Sequence, residues 1–263
     1  MSEEKLYQHF HPDEHRFIDH CLDWLDQVEQ SYSVIVSHFL NPRELEILQI
    51  LVNKRDVQLF SSQDLVQTEQ AKVIIAPRFY LLDEKDFDLV LLEINYASKF
   101  VELSHSQVLG AFLGETGIKR QELGDIIVTD GKVQVFVSQH LVEIFKTIKK
   151  IGHTAVKIKE IPITAVETAT DKAVSEIVSV DSLRVDKVIA IAFKISRNAA
   201  VNVLESNKVK INYLESDKKD FAIGLGNLIS VRGFGRIKIL QILGQTKKGK
   251  QRIEIEIIKN RKK

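Results

Sequence analysis

The order of apolar segments between residues 83 and 165 constrains the fold more than any other feature of this sequence. Short runs rich in aliphatic residues predict strands, and apolar residues three and four positions apart predict helices. Strands are predicted at 89–94, 125–128, 132–137 and 156–161, and helices at 104–115 and 139–149, the first capped by Ser104. Asp130-Gly131, between the second and third strands, is a strong hairpin signal. The predicted order is therefore β-α-β-β-α-β.

This order is the split β-α-β arrangement of ferredoxin-like and RNA-recognition (RRM-like) folds, and it predicts a middle domain of that kind at residues 83–165. The fold by itself does not define a function, because many functions share it. The third strand contains Phe136 but lacks the paired aromatic residues that stack bases in typical RNA-recognition motifs. We therefore expect Phe136 in the core, and we take Lys119 and Arg120, in a preceding loop, as candidates for a secondary RNA contact.

The segment before this domain predicts a small α/β unit at residues 1–82. Apolar residues at helical spacing from Phe17 to Val28 predict an inward-packed helix. Asn41-Pro42 supplies an N-cap and a first-turn proline for a second helix that ends near Asn53. Short apolar runs predict strands at 33–37, 57–60 and 72–76.

Residues 162–180 lack a clear period, and we place the connection to a third domain there. The alternative is that the last strand of the middle domain extends into this segment. The third domain, at 180–263, is predicted to begin with two short helices and a strand, and Ser196 is a natural N-cap for the second helix. With these three parts the chain is predicted to be an α+β multidomain protein.

Charge is distributed unequally between these parts. Residues 1–179 contain 18 Lys and Arg against 28 Asp and Glu, and residues 180–263 contain 19 against 8, so the net charge of +1 combines −10 with +11. Such an excess of cations favours a polyanionic partner, most commonly RNA or DNA. The alternative is a solvated basic face, and the acidic first two-thirds of the chain is a candidate surface for a protein partner.

The cations of the two-helix segment are predicted to lie together. Arg184, Lys187 and Lys194 follow spacings of three and seven residues, which places them on one face of a helix, and Arg197 opens the next helix. Cations on one exposed surface, with the amides of a helix N-terminus nearby, match the charge of a phosphate backbone.

These residues belong to motifs that resemble the S4-type (alpha-L) RNA-binding domain. The matching segments are Leu183–Asp186, Ser196–Ala200, Val209–Asn212 and Gly226–Ile229, with Tyr213 in place of a usual glycine and Asn227 in place of a usual aspartate. The resemblance implies RNA contacts from Arg184, Lys187, Arg197, Lys208 and Lys210.

Further segments resemble the YlmH-type branch of bacterial S4-domain proteins over nearly the whole chain. They are Phe39–Glu44, Leu109–Gly114, Gly117–Arg120, Gly124–Val128 and Ile229–Arg236. This resemblance implies association with large ribosomal subunits that carry an obstructed nascent chain on tRNA. The S4-type domain would contact the tRNA and the adjacent large-subunit RNA. The resemblance also implies a link to bacterial cell division.

Gly233-Phe-Gly235 lacks the third glycine and the following helix of a dinucleotide-binding loop. We expect instead a bend that presents Phe234, Arg232 and Arg236 to a nucleic acid. A structural β-bulge is the alternative.

The sequence contains no recognisable catalytic motif, and we expect a protein that is not an enzyme and needs no cofactor. Asp125 is conceivable as a pseudouridine-synthase nucleophile, but a role at the entry of a strand is favoured. His11, Glu14 and His15 have helical spacing without a structural-zinc pattern, and Cys21 is the only cysteine, so we expect no metal site. Two alternatives stay open: an RNA-modifying enzyme with an unrecognised site, and a protein-interaction module linked to cell division that the basic domain only localises.

No run approaches 18 consecutive apolar residues, and the first five residues are acidic where a secretory signal is basic. We therefore expect a cytoplasmic protein that does not associate with membranes.

Overall fold

The computed structural model describes residues 6–129, 131–167 and 173–259. The chain forms two compact units, residues 1–170 and 171–263. Within the described residues, no helix combines the length and the apolar character needed to cross a membrane.

The first part of unit one contains two helices and a three-stranded antiparallel sheet. The elements are α1 (His15–Ser31), β1 (Ile35–Val36), α2 (Pro42–Val52), β2 (Val57–Ser61) and β3 (Val73–Pro77), and the strand order is β1-β3-β2. Helix α1 buries Ile18, Cys21, Leu25 and Val28, which lie three or four positions apart and therefore share one face. Helix α2 begins as predicted, because Asn41 and Glu44 form a capping box.

The second part of unit one is a five-stranded antiparallel sheet with two helices. Its elements are β4 (Leu89–Tyr96), α3 (His105–Thr116), β5 (Leu123–Thr129), β6 (Lys132–Ser138), α4 (Val142–Lys146), β7 (Lys150–Ile151) and β8 (Thr154–Ile161). The strand order is β5-β6-β4-β8-β7. The predicted order of elements is present, with the short β7 in addition. Ser104 caps α3 as predicted, while Asp130 of the predicted turn lies outside the described residues.

The helix predicted at 139–149 is shorter than expected. A 3-10 turn at Gln139–Leu141 precedes α4, which ends at Lys146, and the chain then turns through Gly152, at φ 59, into a β7–β8 hairpin. Residue 150 belongs to the sheet instead of the predicted helix, since Lys150 pairs with Ala155.

The two faces of this sheet have different neighbours. The inner face packs against α3 and α4, whose Phe112 and Phe145 rings stack with centroids 4.5 Å apart. On the outer face, Leu91 and Phe136 pack with Phe39, which comes from the first part of the unit. The expectation that Phe136 belongs to the core is confirmed.

Polar contacts also join the two parts of unit one. The buried ammonium of Lys72 lies 3.1 Å from Asp88 Oδ2 and 3.0 Å from Ser138 Oγ. The carboxylate of Asp125 accepts hydrogen bonds from the backbone amides of Glu69 and Gln70 at 2.6 and 2.9 Å. The segments predicted at 1–82 and 83–165 therefore share cores and hydrogen bonds within one compact unit.

Unit two is a six-stranded antiparallel sheet with two helices on one face. Its elements are β9 (Val174–Val180), α5 (Val185–Phe193), α6 (Arg197–Glu205), β10 (Val209–Ile211), β11 (Leu214–Glu215), β12 (Leu228–Val231), β13 (Gly235–Gln245) and β14 (Gln251–Lys259). The strand order is β11-β10-β12-β13-β14-β9. Ser196 caps α6 as predicted, since its hydroxyl accepts a hydrogen bond from Ala199 N.

The prediction of a connection over the whole of 162–180 was wrong for its last seven residues. Strand β9 pairs with β14 from Val174 opposite Ile257 to Val180 opposite Gln251. As an edge strand, β9 has only one neighbouring strand, and most of its side chains are partly or fully exposed. Its sequence therefore lacks the clear alternation by which a half-buried strand is recognised.

Candidate nucleic-acid interface

Asp186 organises two of the predicted cations. Its side chain is fully buried in the first turn of α5. Arg184 Nε donates to Oδ1 at 3.0 Å, and Arg197 Nε donates to Oδ2 at 2.8 Å. Burial alone would raise the pKa of this carboxyl, but the hydrogen bonds and charges of the two arginines outweigh it and hold the pKa below its ordinary value. One carboxylate therefore fixes two guanidinium groups next to each other.

The two arginines keep donors for a ligand. The side chain of Arg184 is 33% exposed and that of Arg197 is 56% exposed. A guanidinium has five N–H donors, and the bonds to Asp186 use two from Arg184 and one from Arg197. Because planar guanidinium groups recognise phosphate oxygens with two parallel hydrogen bonds, the pair is suited to contact a phosphate backbone.

A groove of about 500 Å³ lies beside this pair and brings three of the predicted cations together. Lys187, Lys194 and Arg197 line it, together with Asp181 and Lys250. Lys250 Nζ and Asp181 Oδ1 form an ion pair at 3.1 Å. Sequence reasoning did not select Lys250, because it reaches the groove from the start of β14, far along the chain.

The helical spacing assigned to these cations was wrong in part. Only Lys187 lies within α5, while Arg184 is the residue that precedes the helix and Lys194 is the left-handed residue that ends it, at φ 55. Lys194 nevertheless lines the groove together with Lys187.

The other predicted cations of unit two lie on its sheet. Val209 and Ile211 belong to the core under the helices, so Lys210 between them points to the opposite face. Lys210 pairs with Ser230, which in turn pairs with Arg236, so the two cations share one row across three strands. They therefore form a group separate from the groove.

Lys208 and Arg232 lie at the ends of neighbouring strands. Arg232 N donates a hydrogen bond to Lys208 O at 2.8 Å, and both residues are exposed. The structure thus divides the predicted contact residues of unit two into a helix group and a sheet group.

The Gly233-Phe-Gly235 segment forms the tight turn between β12 and β13. A Cβ at Gly235 would lie 2.0 Å from Ile258 O, so the approach of β14 requires glycine there. Phe234, which was expected to be presented to a nucleic acid, is half-buried. Its ring packs against Phe193, with centroids 5.5 Å apart, because it covers the edge of the core beneath α5.

In unit one, Lys119 and Arg120 lie between α3 and β5, and both are exposed. Arg120 donates a hydrogen bond to the backbone oxygen of Leu123. Lys119 precedes the 3-10 turn without capping it. The charge of Arg120 also acts on the carboxylate of Asp125.

The remaining candidates have structural contacts. Glu14 binds Arg43 Nε at 2.7 Å, and His11 caps the turn before α1. No group of three or more His, Cys, Asp or Glu side chains suited to a metal occurs in the described part of the chain. Asp125 ties the loop before β3 to β5, as a strand-entry residue would.

Two family models match the chain. One, described as "YlmH, N-terminal", matches residues 13–80, and the other, described as "Putative RNA-binding domain in YlmH", matches residues 83–165.

Two proteins are similar over long stretches. The "Ribosome-associated protein quality control protein P2" of Bacillus subtilis (strain 168) is 34% identical over 253 residues, which are 95% of this chain and 98% of that protein. A solved structure, "Cell division protein ylmH from Streptococcus pneumoniae", is 32% identical, with a TM-score of 0.55. That match covers 61% of this chain and 99% of the other.

Proposed function

Because the chain belongs to the YlmH family, we propose that it is a ribosome-associated RNA-binding protein whose main contact surface is the groove of unit two. The observation that carries this proposal is the arginine pair held by Asp186 beside Lys187 and Lys194. A buried acid orients two arginines, and one of them, Arg197, lines the groove with three lysines. This arrangement suits phosphate oxygens better than a neutral ligand.

The charge of unit two supports the same assignment. Residues 171–263 contain 20 Lys and Arg against 10 Asp and Glu, a net charge of +10, whereas residues 1–170 carry −9. A polyanion relieves the repulsion within unit two, and the approach of RNA is steered toward it.

The finer proposal is that the RNA is large-subunit ribosomal RNA together with tRNA on obstructed ribosomes, and that the role is binding rather than catalysis. It is supported by the name of the Bacillus subtilis relative, a ribosome-associated quality control protein, and by the S4-type motifs around Arg184 and Arg197. We also propose that unit two is an S4-type domain and that the five-stranded sheet is RRM-like. A ribosomal role implies the cytoplasm.

Sedimentation of the cellular protein through ribosome gradients tests the association. The protein is expected with large subunits, and ribonuclease treatment is expected to release it to the top of the gradient. Co-sedimentation that survives complete digestion of the RNA would contradict the proposal.

The groove is tested with the pair Lys187→Gln and Lys194→Gln. Its control is the pair Lys247→Gln and Lys248→Gln, which removes the same charge from exposed residues in the β13–β14 turn. The groove pair is expected to weaken binding to bulk tRNA and to lower the slope of log affinity against log salt by about 1.4 to 1.8, or 0.7 to 0.9 for each lost phosphate contact. Equal losses in both pairs would mean that generic charge explains the binding.

A second candidate function is contact with a protein partner, consistent with the cell-division name of the Streptococcus pneumoniae relative. It is favoured by an exposed apolar cluster in unit one, where Tyr32 and Phe79 contact each other with ring centroids 6.0 Å apart. Phe79 is 71% exposed and Leu81 is 89% exposed. Exposed aromatic clusters of this kind commonly mark protein contacts. If this candidate is correct, Phe79→Ser will abolish partner binding and leave tRNA binding unchanged.

A further inference from the structure

The outer face of the five-stranded sheet in unit one is divided into a covered half and an open half. In the covered half, Leu91 pairs with Phe136 on one side and with Ile161 on the other, and all three pack in the cluster that contains Phe39. This apolar contact removes the central positions of the face from solvent. Bases therefore cannot stack there.

The open half begins two residues further along β4, where Lys159 lies opposite Glu93. It continues to Asn95, which pairs with Lys157. Val156 and Ile158 belong to the inner core, so Lys157 and Lys159 point to the outer face by strand alternation. Lys132 precedes the inward-facing Val133, which places it on the same outer face.

The short strand β7 adds a fourth cation. Lys150 pairs with Ala155, which has the same orientation in β8 as Lys157. Ile151, its neighbour, is buried in the inner core. Lys132, Lys150, Lys157 and Lys159 therefore form one surface, which we call the lysine half-face.

The lysines differ in their partners. Glu93 binds Lys159 at 2.9 Å and lies 3.9 Å from Lys132, whose Nζ is also 3.2 Å from Glu167. In the described part of the chain, no carboxylate lies within 4.0 Å of the ammonium of Lys150 or Lys157. Both lysines are exposed. Two cations are thus fixed by acids and two are available to a ligand.

The segment that carries most of the lysine half-face is positively charged, although the surrounding unit has a negative net charge. Residues 144–159 contain five lysines and no acidic residue, although residues 1–170 carry a net charge of −9. A basic surface maintained within an acidic unit favours a specific anionic ligand over a merely solvated face.

We propose that the lysine half-face is a second RNA-binding surface, and that Lys150 and Lys157 contact phosphates while Glu93 holds Lys132 and Lys159 in place. The ligand is RNA backbone rather than an acidic peptide, because the segment matches a family model described as an RNA-binding domain while its central base-stacking positions are covered. This inference rests on the proposed function, which it extends to a second site.

The test uses the full chain with the pair Lys150→Gln and Lys157→Gln, and bulk tRNA as the probe. The matched control is the pair Lys54→Gln and Lys85→Gln, which removes two exposed lysines of the same unit from outside the half-face. The half-face pair is expected to lower the salt slope by about 1.4 to 1.8, and the control pair to leave it unchanged. Lys150→Arg with Lys157→Arg is expected to retain the wild-type slope, which separates lost contacts from a folding defect.

The outcomes are distinguishable. An unchanged slope in the half-face pair, with a reduced slope in the groove pair, overturns this inference and leaves the proposed function standing. Unchanged binding in both pairs overturns the proposed function as well. Equal losses in the half-face and control pairs overturn the second site in favour of generic charge. If the half-face pair binds tRNA like the wild type but no longer binds polyglutamate, the second RNA-binding surface is overturned in favour of a site for an acidic protein partner.

Discussion

At the scale of single residues, Asp186 allows a test of whether RNA binding depends on oriented arginines or on positive charge alone. Its fully buried carboxylate accepts hydrogen bonds from both arginines of the candidate interface. Charge-assisted hydrogen bonds of this kind restrict two flexible side chains before a ligand arrives, which lowers the entropy lost on binding.

Asp186→Asn is expected to weaken tRNA binding by about tenfold, which corresponds to about 1.4 kcal/mol. The substitution makes the protein more positive but removes the acceptor that orients the arginines, so the positioning effect and the charge effect have opposite signs. The control, Asp217→Asn, makes the same charge change at an exposed residue. Filter binding at one salt concentration, after circular dichroism has shown both variants folded, decides between them. Tighter binding by Asp186→Asn would contradict the assigned role.

His38 is a second residue whose surroundings change its chemistry. Burial, together with the nearby charges of His20 and Lys72, lowers its pKa to about 4. The unfolded chain binds a proton at this position below its ordinary pKa of 6.5, while the folded chain does not until about 4. The free energy of unfolding therefore falls as the pH falls from 6.5 to 4.

We expect His38 to account for up to about 3 kcal/mol of this loss of stability, since each unit of pKa difference corresponds to about 1.4 kcal/mol. His38→Phe is expected to flatten the pH dependence of unfolding between about pH 4 and pH 6.5. His153→Gln, at an exposed histidine, is expected to leave it unchanged. Trp24, the only tryptophan, has its ring 5.8 Å from that of His38, so its fluorescence reports the transition in urea. An unaltered pH dependence in His38→Phe would rule out this residue as the cause.

At the scale of elements, the turn between β10 and β11 forms without the glycine that the S4-type pattern has. Asn212 and Tyr213 both have positive φ, at 49 and 72. Asparagine tolerates this conformation better than most residues. Asn212 Oδ1 also accepts a hydrogen bond from Leu228 N at 2.9 Å, which ties the turn to β12.

Asn212→Ala is expected to destabilise residues 171–263 by about 1–3 kcal/mol more than Asn207→Ala does, because it leaves the amide of Leu228 without its acceptor. Asn207 is a suitable control, since it also has a positive φ, at 53, while its side chain makes no hydrogen bond within the described part of the chain. Urea unfolding followed by circular dichroism measures the difference. Equal effects of the two substitutions would show that backbone conformation alone matters.

The edge strand β9 gives a prediction about where unit two begins. A fragment of residues 171–263 is expected to unfold cooperatively, whereas residues 181–263 are expected to melt at a lower temperature or to aggregate. Removal of β9 exposes the pairing edge of β14 over seven residue pairs and takes Val180 out of the core. Thermal melts of both fragments provide the comparison, and identical melting temperatures would mean that β9 contributes nothing.

At the scale of the whole molecule, the two units differ by 19 in net charge. Residues 171–263 alone are expected to bind bulk tRNA with much of the affinity of the full chain, and residues 1–170 alone much more weakly. The lysine half-face is expected to give the second fragment a weak, salt-sensitive affinity. Filter binding at fixed salt tests both fragments. Equal affinities would remove the basis for placing the main site in unit two.

The sequence alone was sufficient for features that depend on neighbours a few residues apart. The caps at Asn41, Ser104 and Ser196 were predicted because each side chain bonds an amide two or three positions away. The order of elements in the middle segment followed from local periodicity, and membership of the YlmH family followed from short motifs along nearly the whole chain.

Tertiary structure alone decided features that depend on residues distant in the chain. Lys250 joins the groove beside Lys187, Phe39 covers the sheet face around Phe136, and Phe234 packs on Phe193 at the edge of the core. Strand β9 forms by pairing with β14, about 80 residues later in the chain, and its own sequence pattern does not predict it. Local sequence specifies backbone preference and polarity, whereas the partner of a side chain depends on which distant surfaces are brought together when apolar area is buried.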